Sequence, residues 1–61
     1  MPVIHIDILH QTKEKKKEIV EKVTATMAEI TKIPVQAFVV LISEYDADSC
    51  GTGGVCLSDR K

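Results

Sequence analysis

The segment Phe38-Val39-Val40-Leu41-Ile42 constrains this chain more than any other, because a strand-length run with no polar position in either parity demands cover on both faces. Only one other segment can supply cover. Ile19, Val23, Met27 and Ile30, with Val20 beside them, recur at the spacing of a helix that lies on a core. One helix covers one face of a sheet, so the other face predicts association with further copies of the chain.

Upstream, Val3 to Leu9 alternates Ile4, Ile6 and Ile8 with His5 and Asp7, which predicts a strand with one strongly apolar face. Thr12 is placed to cap the helix that follows, and Glu14 falls in its first turn, where a carboxylate suits the helix dipole. The helix is expected to run to about Lys32, since Pro34 disfavours helical geometry at Ile33. Strand, helix and strand together predict an α/β fold, a β-α-β subunit with parallel strands and a right-handed crossover. Further on, Gly51, Gly53 and Gly54 offer positive φ or close backbone approach. Val55-Cys56-Leu57 is expected as a short strand added to a neighbouring subunit's sheet.

With 61 residues the chain is expected to form one domain, 1–61. At this size only about 60% of the unfolded surface is buried on folding, so a lone subunit needs reinforcement. Cys50 and Cys56 are too few for a disulfide framework, which leaves oligomerisation. A formal charge of −1, from 8 basic and 9 acidic residues, gives no field to attract a nucleic acid backbone. No apolar run reaches the roughly 18 to 20 residues that span a bilayer, and His5 and Asp7 interrupt the stretch where a secretory segment would be continuous. The expectation is a cytoplasmic protein with neither nucleic acid nor membrane as partner.

Pro2 is the residue with the most distinctive chemistry. Behind an initiator methionine, a small second residue favours Met removal, and a proline then becomes a free secondary amine. An ordinary prolyl nitrogen is an amide without a proton. A terminal one can accept and donate a proton, and partial burial or neighbouring cations would bring it from near 8 toward about 7, where a general base works best. Taken by position alone, Pro2 could equally be a residue that merely precedes a strand.

Met1-Pro2 before an apolar strand, Lys16-Lys17-Glu18-Ile19-Val20-Glu21-Lys22-Val23 in the helix, Pro34 ahead of Val39-Val40-Leu41-Ile42-Ser43-Glu44, and Gly51-Thr52-Gly53-Gly54 together resemble the 4-oxalocrotonate tautomerase family. The resemblance covers essentially the whole chain. It implies a β-α-β subunit with a small C-terminal hairpin, assembled as a homohexamer, a trimer of dimers. It also implies cofactor-free proton shuttling by the N-terminal proline on an unsaturated 2-hydroxy or 2-oxo acid. Family members add two arginines and an aromatic residue that hold the acid and polarise its carbonyl. The matching positions here are Gln11, Val39 and Cys50, and Arg60 is the only arginine in the chain. Two bidentate carboxylate clamps therefore cannot come from equivalent positions. Gln11 could donate a neutral hydrogen bond instead, or be an exposed loop amide. Cys50 could face the site as a weak donor, or simply fill space.

The alternatives to a tautomerase are a non-catalytic oligomeric or ligand-binding relative and a thiol-based redox role for Cys50 and Cys56, whose spacing could bring them together across a tight hairpin. Two free thiols are the expectation in the cytosol. Zinc is disfavoured, because His5 and His10 have opposite parity along a strand and the cysteines lack metal-ligand spacing. The lysines at positions 13 and 15 to 17, interleaved with Glu14 and Glu18, are expected to form a solvated helix face. Phe38 is expected in the core, and Tyr45 in the core or an interface, with the active site as its less favoured alternative.

Overall fold

The computed structural model describes residues 1–60. Strand β1 (Val3–Leu9) leads into helix α1 (Lys13–Thr31), a short 3₁₀ turn at Val35–Ala37 and strand β2 (Val39–Tyr45). A second 3₁₀ turn at Ala47–Ser49 precedes a miniature hairpin of β3 (Gly51–Thr52) and β4 (Val55–Cys56), and a final turn spans Leu57–Asp59. β1 and β2 pair in parallel from Val3↔Val39 to Leu9↔Tyr45, with α1 as the crossover. β3 and β4 pair antiparallel.

The local chemistry explains each boundary. Thr12 Oγ1 accepts from the Lys15 N–H at 3.1 Å, and Thr12 O accepts from the Lys16 N–H at 3.0 Å, so α1 begins where a capping side chain satisfies its free donors. At the other end, Lys32 takes φ 64° and its N–H reaches Ala28 O at 2.8 Å, a left-handed cap that turns the chain toward Pro34. Gly53 and Gly54, at φ 60° and 82°, make the β3–β4 turn. A Cβ on Gly51 would come within 2.9 Å of Val55 O, so that glycine permits the close approach of the two strands.

The sheet separates its residues by parity. Ile4, Ile6 and Ile8 are half-buried, whereas Val3, His5, Asp7 and Leu9 are exposed. Ile19, Val23 and Met27 are the half-buried stripe of α1. Ile30, expected on that stripe, is 71% exposed. A helix of 19 residues is about 28 Å long against about 23 Å for a seven-residue strand, so its last turn overruns the sheet.

The second strand is left partly uncovered within one chain, as a single helix predicts: Leu41 is 49% exposed, and no described residue, Phe38 included, is fully buried. The cover that its composition requires must come from outside the chain, as in an oligomeric subunit. The expected strand at Val55–Cys56 is present as β4 and pairs within the chain with β3 across the Gly53-Gly54 turn, the small C-terminal hairpin that the resemblance implies. Arg60 secures this unit, its Nη2 donating to Thr52 O at 2.7 Å and also to Thr52 Oγ1.

Candidate functional site

Pro2 stands immediately before β1, half-buried, and its carbonyl accepts from the Val39 N–H at 2.9 Å. That bond extends the parallel ladder by one step and fixes the nitrogen end of Pro2 at the start of the sheet. Val39, opposite Val3, is therefore beside Pro2 within one chain. Met1 is 89% exposed at the adjoining end.

Gln11 and Cys50 lie at the other end. The Gln11 N–H donates to Glu44 Oε2 at 3.1 Å, and its side-chain amide donates to Leu9 O at 3.3 Å. Cys50 lines an open cavity of about 340 Å³ with Asp7, Ile8, Leu9, Tyr45 and Ser49. Seven residue steps of β1 separate Pro2 from Leu9, a span of about 23 Å at 3.3 Å per residue. Pro2 and Val39 thus lie together at one end of the sheet, and Gln11 and Cys50 lie toward the other, lining separate cavities, Gln11 on the helix side. A ligand that touches Pro2 and either of the distal residues must lie between two copies of the chain.

The distal end contains polar groups that reading along the chain does not single out. On the helix side, Glu44 collects the Lys16 ammonium at 2.8 Å, the Gln11 N–H and, at 3.4 Å, His10 Nδ1. These donors, Lys16 foremost, hold the Glu44 carboxyl down from its ordinary 4.5 to about 2. His10 Nε2 lies 2.6 Å from Asp46 Oδ1, so the ring bridges two carboxylates. On the opposite side, the Tyr45 hydroxyl donates to Asp7 Oδ1 at 2.8 Å, and this carboxylate raises the phenol's pKa above its usual value. His5 Nε2 is 2.8 Å from Ser43 Oγ and 3.4 Å from the same Asp7 oxygen. His5 and His10 thus belong to separate polar groups, and no cluster of three or more metal-ligating side chains occurs among the described residues.

A signal for the Asp7–Tyr45 pair does exist in the sequence. Once β1 and β2 are parallel and in register, odd-numbered residues of both strands share a face, and Asp7 and Tyr45 become diagonal neighbours. The register itself is what the sequence lacks.

The hairpin also bears on the cysteines. Gly51 is opposite Cys56, and the Leu57 N–H donates to Cys50 O at 2.8 Å, so Cys50 is opposite Leu57. Consecutive residues alternate sides, which turns Cys50 and Cys56 to opposite faces of the ribbon. Both thiols are free.

Comparison with known proteins agrees with this architecture. The family described as "Tautomerase enzyme" matches residues 2–60. A Bacillus cereus protein named "Probable tautomerase" is 39% identical over 61 residues, covering 98% of this chain and 100% of its own. Among solved structures, YwhB, a homologue of 4-oxalocrotonate tautomerase, superposes with a TM-score of 0.90 at 34% identity, covering 98% of this chain and 100% of its own. A heterohexameric 4-oxalocrotonate tautomerase from Chloroflexus aurantiacus shares the fold with a TM-score of 0.91 at 21% identity over the full length of both chains. The chain belongs to the tautomerase family, within its 4-oxalocrotonate tautomerase branch. Among the described residues, no helix is long and apolar enough to cross a membrane.

Proposed function

We propose that this chain, after loss of Met1, is a cofactor-independent tautomerase in which the Pro2 amine moves a proton within an unsaturated 2-hydroxy or 2-oxo acid. The observation that carries this reading is the anchoring of Pro2. Its carbonyl is tied to the Val39 N–H, so a freed amine would be held at a fixed point on the sheet rather than on a loose terminus. The small second residue, Pro2, favours removal of Met1. The amine would take a proton from the enol hydroxyl, or from carbon next to a carbonyl, and return it to a different carbon.

Completion of the site by another copy follows from the distance along β1. Pro2 and Val39 of one chain would meet Gln11 and Cys50 of a second, in a homo-oligomer for which a hexamer, built as a trimer of dimers, is the proposed form. The absence of any fully buried described residue in the single chain supports association, as does the heterohexameric state named for the Chloroflexus protein. Gln11 would supply a neutral hydrogen bond to the substrate carbonyl. A cytoplasmic location is proposed on the same composition that argues against membrane and nucleic acid partners.

A second reading, a non-catalytic relative, is favoured by Gln11 and Val39 standing where two arginines would clamp an acid. The redox alternative is weakened by the opposed faces of Cys50 and Cys56, since a disulfide between them would require the hairpin to rearrange. The deciding experiment is ketonisation of a monoacid and a diacid 2-hydroxydienoate by protein with a verified prolyl N-terminus, alongside Pro2→Ala. Turnover that collapses in the variant supports the tautomerase. Turnover no higher than the variant's on both compounds would overturn it in favour of the non-catalytic reading.

A further inference from the structure

The cavity beside Cys50 has a chemical character that the proposed reaction does not use. Its walls are largely apolar, from Ile8, Leu9 and the Tyr45 ring. Its polar lining residues are Asp7, Tyr45, Ser49 and Cys50, so it has the negative charge of Asp7 and, among the described residues, no lysine, arginine or histidine in its lining. A carboxylate brought here would meet repulsion without a compensating cation.

The arrangement of Asp7 sharpens this. One carboxylate oxygen, Oδ1, accepts from Tyr45 and lies near His5 Nε2, whereas Oδ2 accepts no hydrogen bond from the described residues. Asp7 thus keeps acceptor capacity for an added donor. The Tyr45 proton, by contrast, is already committed to Asp7 and is not available to a ligand oxygen. The helix-side surface differs: Lys15 and Lys22, with Glu18 beside them, line the cavity of about 310 Å³ at Gln11.

We propose that the Cys50 cavity binds the part of the substrate remote from the reacting acid, and that it selects an apolar group ending in an O–H or N–H donor, with Asp7 as the acceptor. The inference rests on the reading of Pro2 and Cys50 as parts of one intersubunit site, and it assigns the substrate to monoacids with a hydroxyaryl or aminoalkyl tail rather than to diacids. Asp7 and Tyr45 then join the site as specificity residues. Asp7 receives the donor, and the Tyr45 ring packs against the ligand body.

The test uses benzylamine, p-cresol and benzoate, matched aromatic probes that end in a cation, a neutral donor and a carboxylate. Binding is followed by amide chemical shifts on isotope-labelled, assembled protein, with wild type and Pro2→Ala in parallel so that the result does not depend on proline chemistry. Benzylamine and p-cresol should perturb the amides of Asp7 to Leu9 and of Ser49 and Cys50, with benzylamine favoured over benzoate by about tenfold or more at low salt. In Asp7→Asn the benzylamine preference should shrink to within about threefold, and in Tyr45→Phe, which frees Oδ1, it should persist. Retained preference in a folded Asp7→Asn protein, benzoate binding as tightly as benzylamine, or shifts confined to other regions would each overturn the proposal. Loss of the preference in Tyr45→Phe would also count against Asp7 as the direct acceptor. Failure of these probes together with proline-dependent turnover would sink the cavity assignment alone.

Discussion

Lys16 Nζ and Glu44 Oε1 are 2.8 Å apart, a link between the start of α1 and the far end of β2 that also holds the Gln11 loop through the second oxygen of Glu44. Because the folded protein depresses the Glu44 carboxyl from 4.5 to about 2, its contribution to stability is fully present above pH 4.5 and is lost as pH falls toward 2. Glu44→Gln should therefore flatten the pH dependence of the urea midpoint in that window, and should lower stability near neutrality. An unchanged acid slope in the variant would show that other carboxylates govern it.

Tyr45 is the only tyrosine, and there is no tryptophan, so phenolate absorbance reports one group. The pKa of its phenol is raised chiefly by donation to Asp7. In Asp7→Asn the tyrosine should ionise at lower pH than in wild type. A titration that does not move would place the Asp7–Tyr45 bond outside the solution structure.

Lys32 holds φ 64° at the end of α1 without the glycine that usually occupies this conformation. Lys32→Gly should raise stability by about 1 kcal/mol, because a side chain in the left-handed region costs about 1–2 kcal/mol and glycine avoids it. Denaturation of both proteins at equal concentration checks this, and a loss of stability would mean that the lysine side chain makes contacts that outweigh the strain.

Gly51→Ala sets a new Cβ 2.9 Å from Val55 O, a backbone atom with little room to move. The substitution should destabilise the hairpin by about 1–3 kcal/mol, the usual range for forced overpacking. It should increase amide exchange at Val55, Cys56 and Leu57 before it affects β1. Uniform change across the chain would instead mean that the hairpin and the sheet unfold as one unit.

Legibility in the sequence followed the range of the interactions concerned. Thr12 as N-cap, the end of the helix near Lys32 and the glycine turn are local, and each is decided by neighbours within a few residues. The parallel β-α-β order is also legible, because one helix between two apolar strands leaves few topologies. The Asp7–Tyr45 and Lys16–Glu44 pairs are not, since their partners are separated by 38 and 28 positions and meet only once the register is set. Ile30 shows a further limit: helical periodicity places it on the right stripe, but not over a sheet that ends before the helix does.

The separation of Pro2 from Gln11 and Cys50 by the length of β1 also has a genetic consequence for a site built across chains. Each polypeptide would contribute a donor end to one neighbour and a receiving end to another, so a defect at one end leaves the other end serviceable. Mixing a Pro2→Ala chain with one altered at Cys50 could restore some intact junctions, although each parent assembly has none. After a gene duplication, the two ends would be free to diverge on different chains.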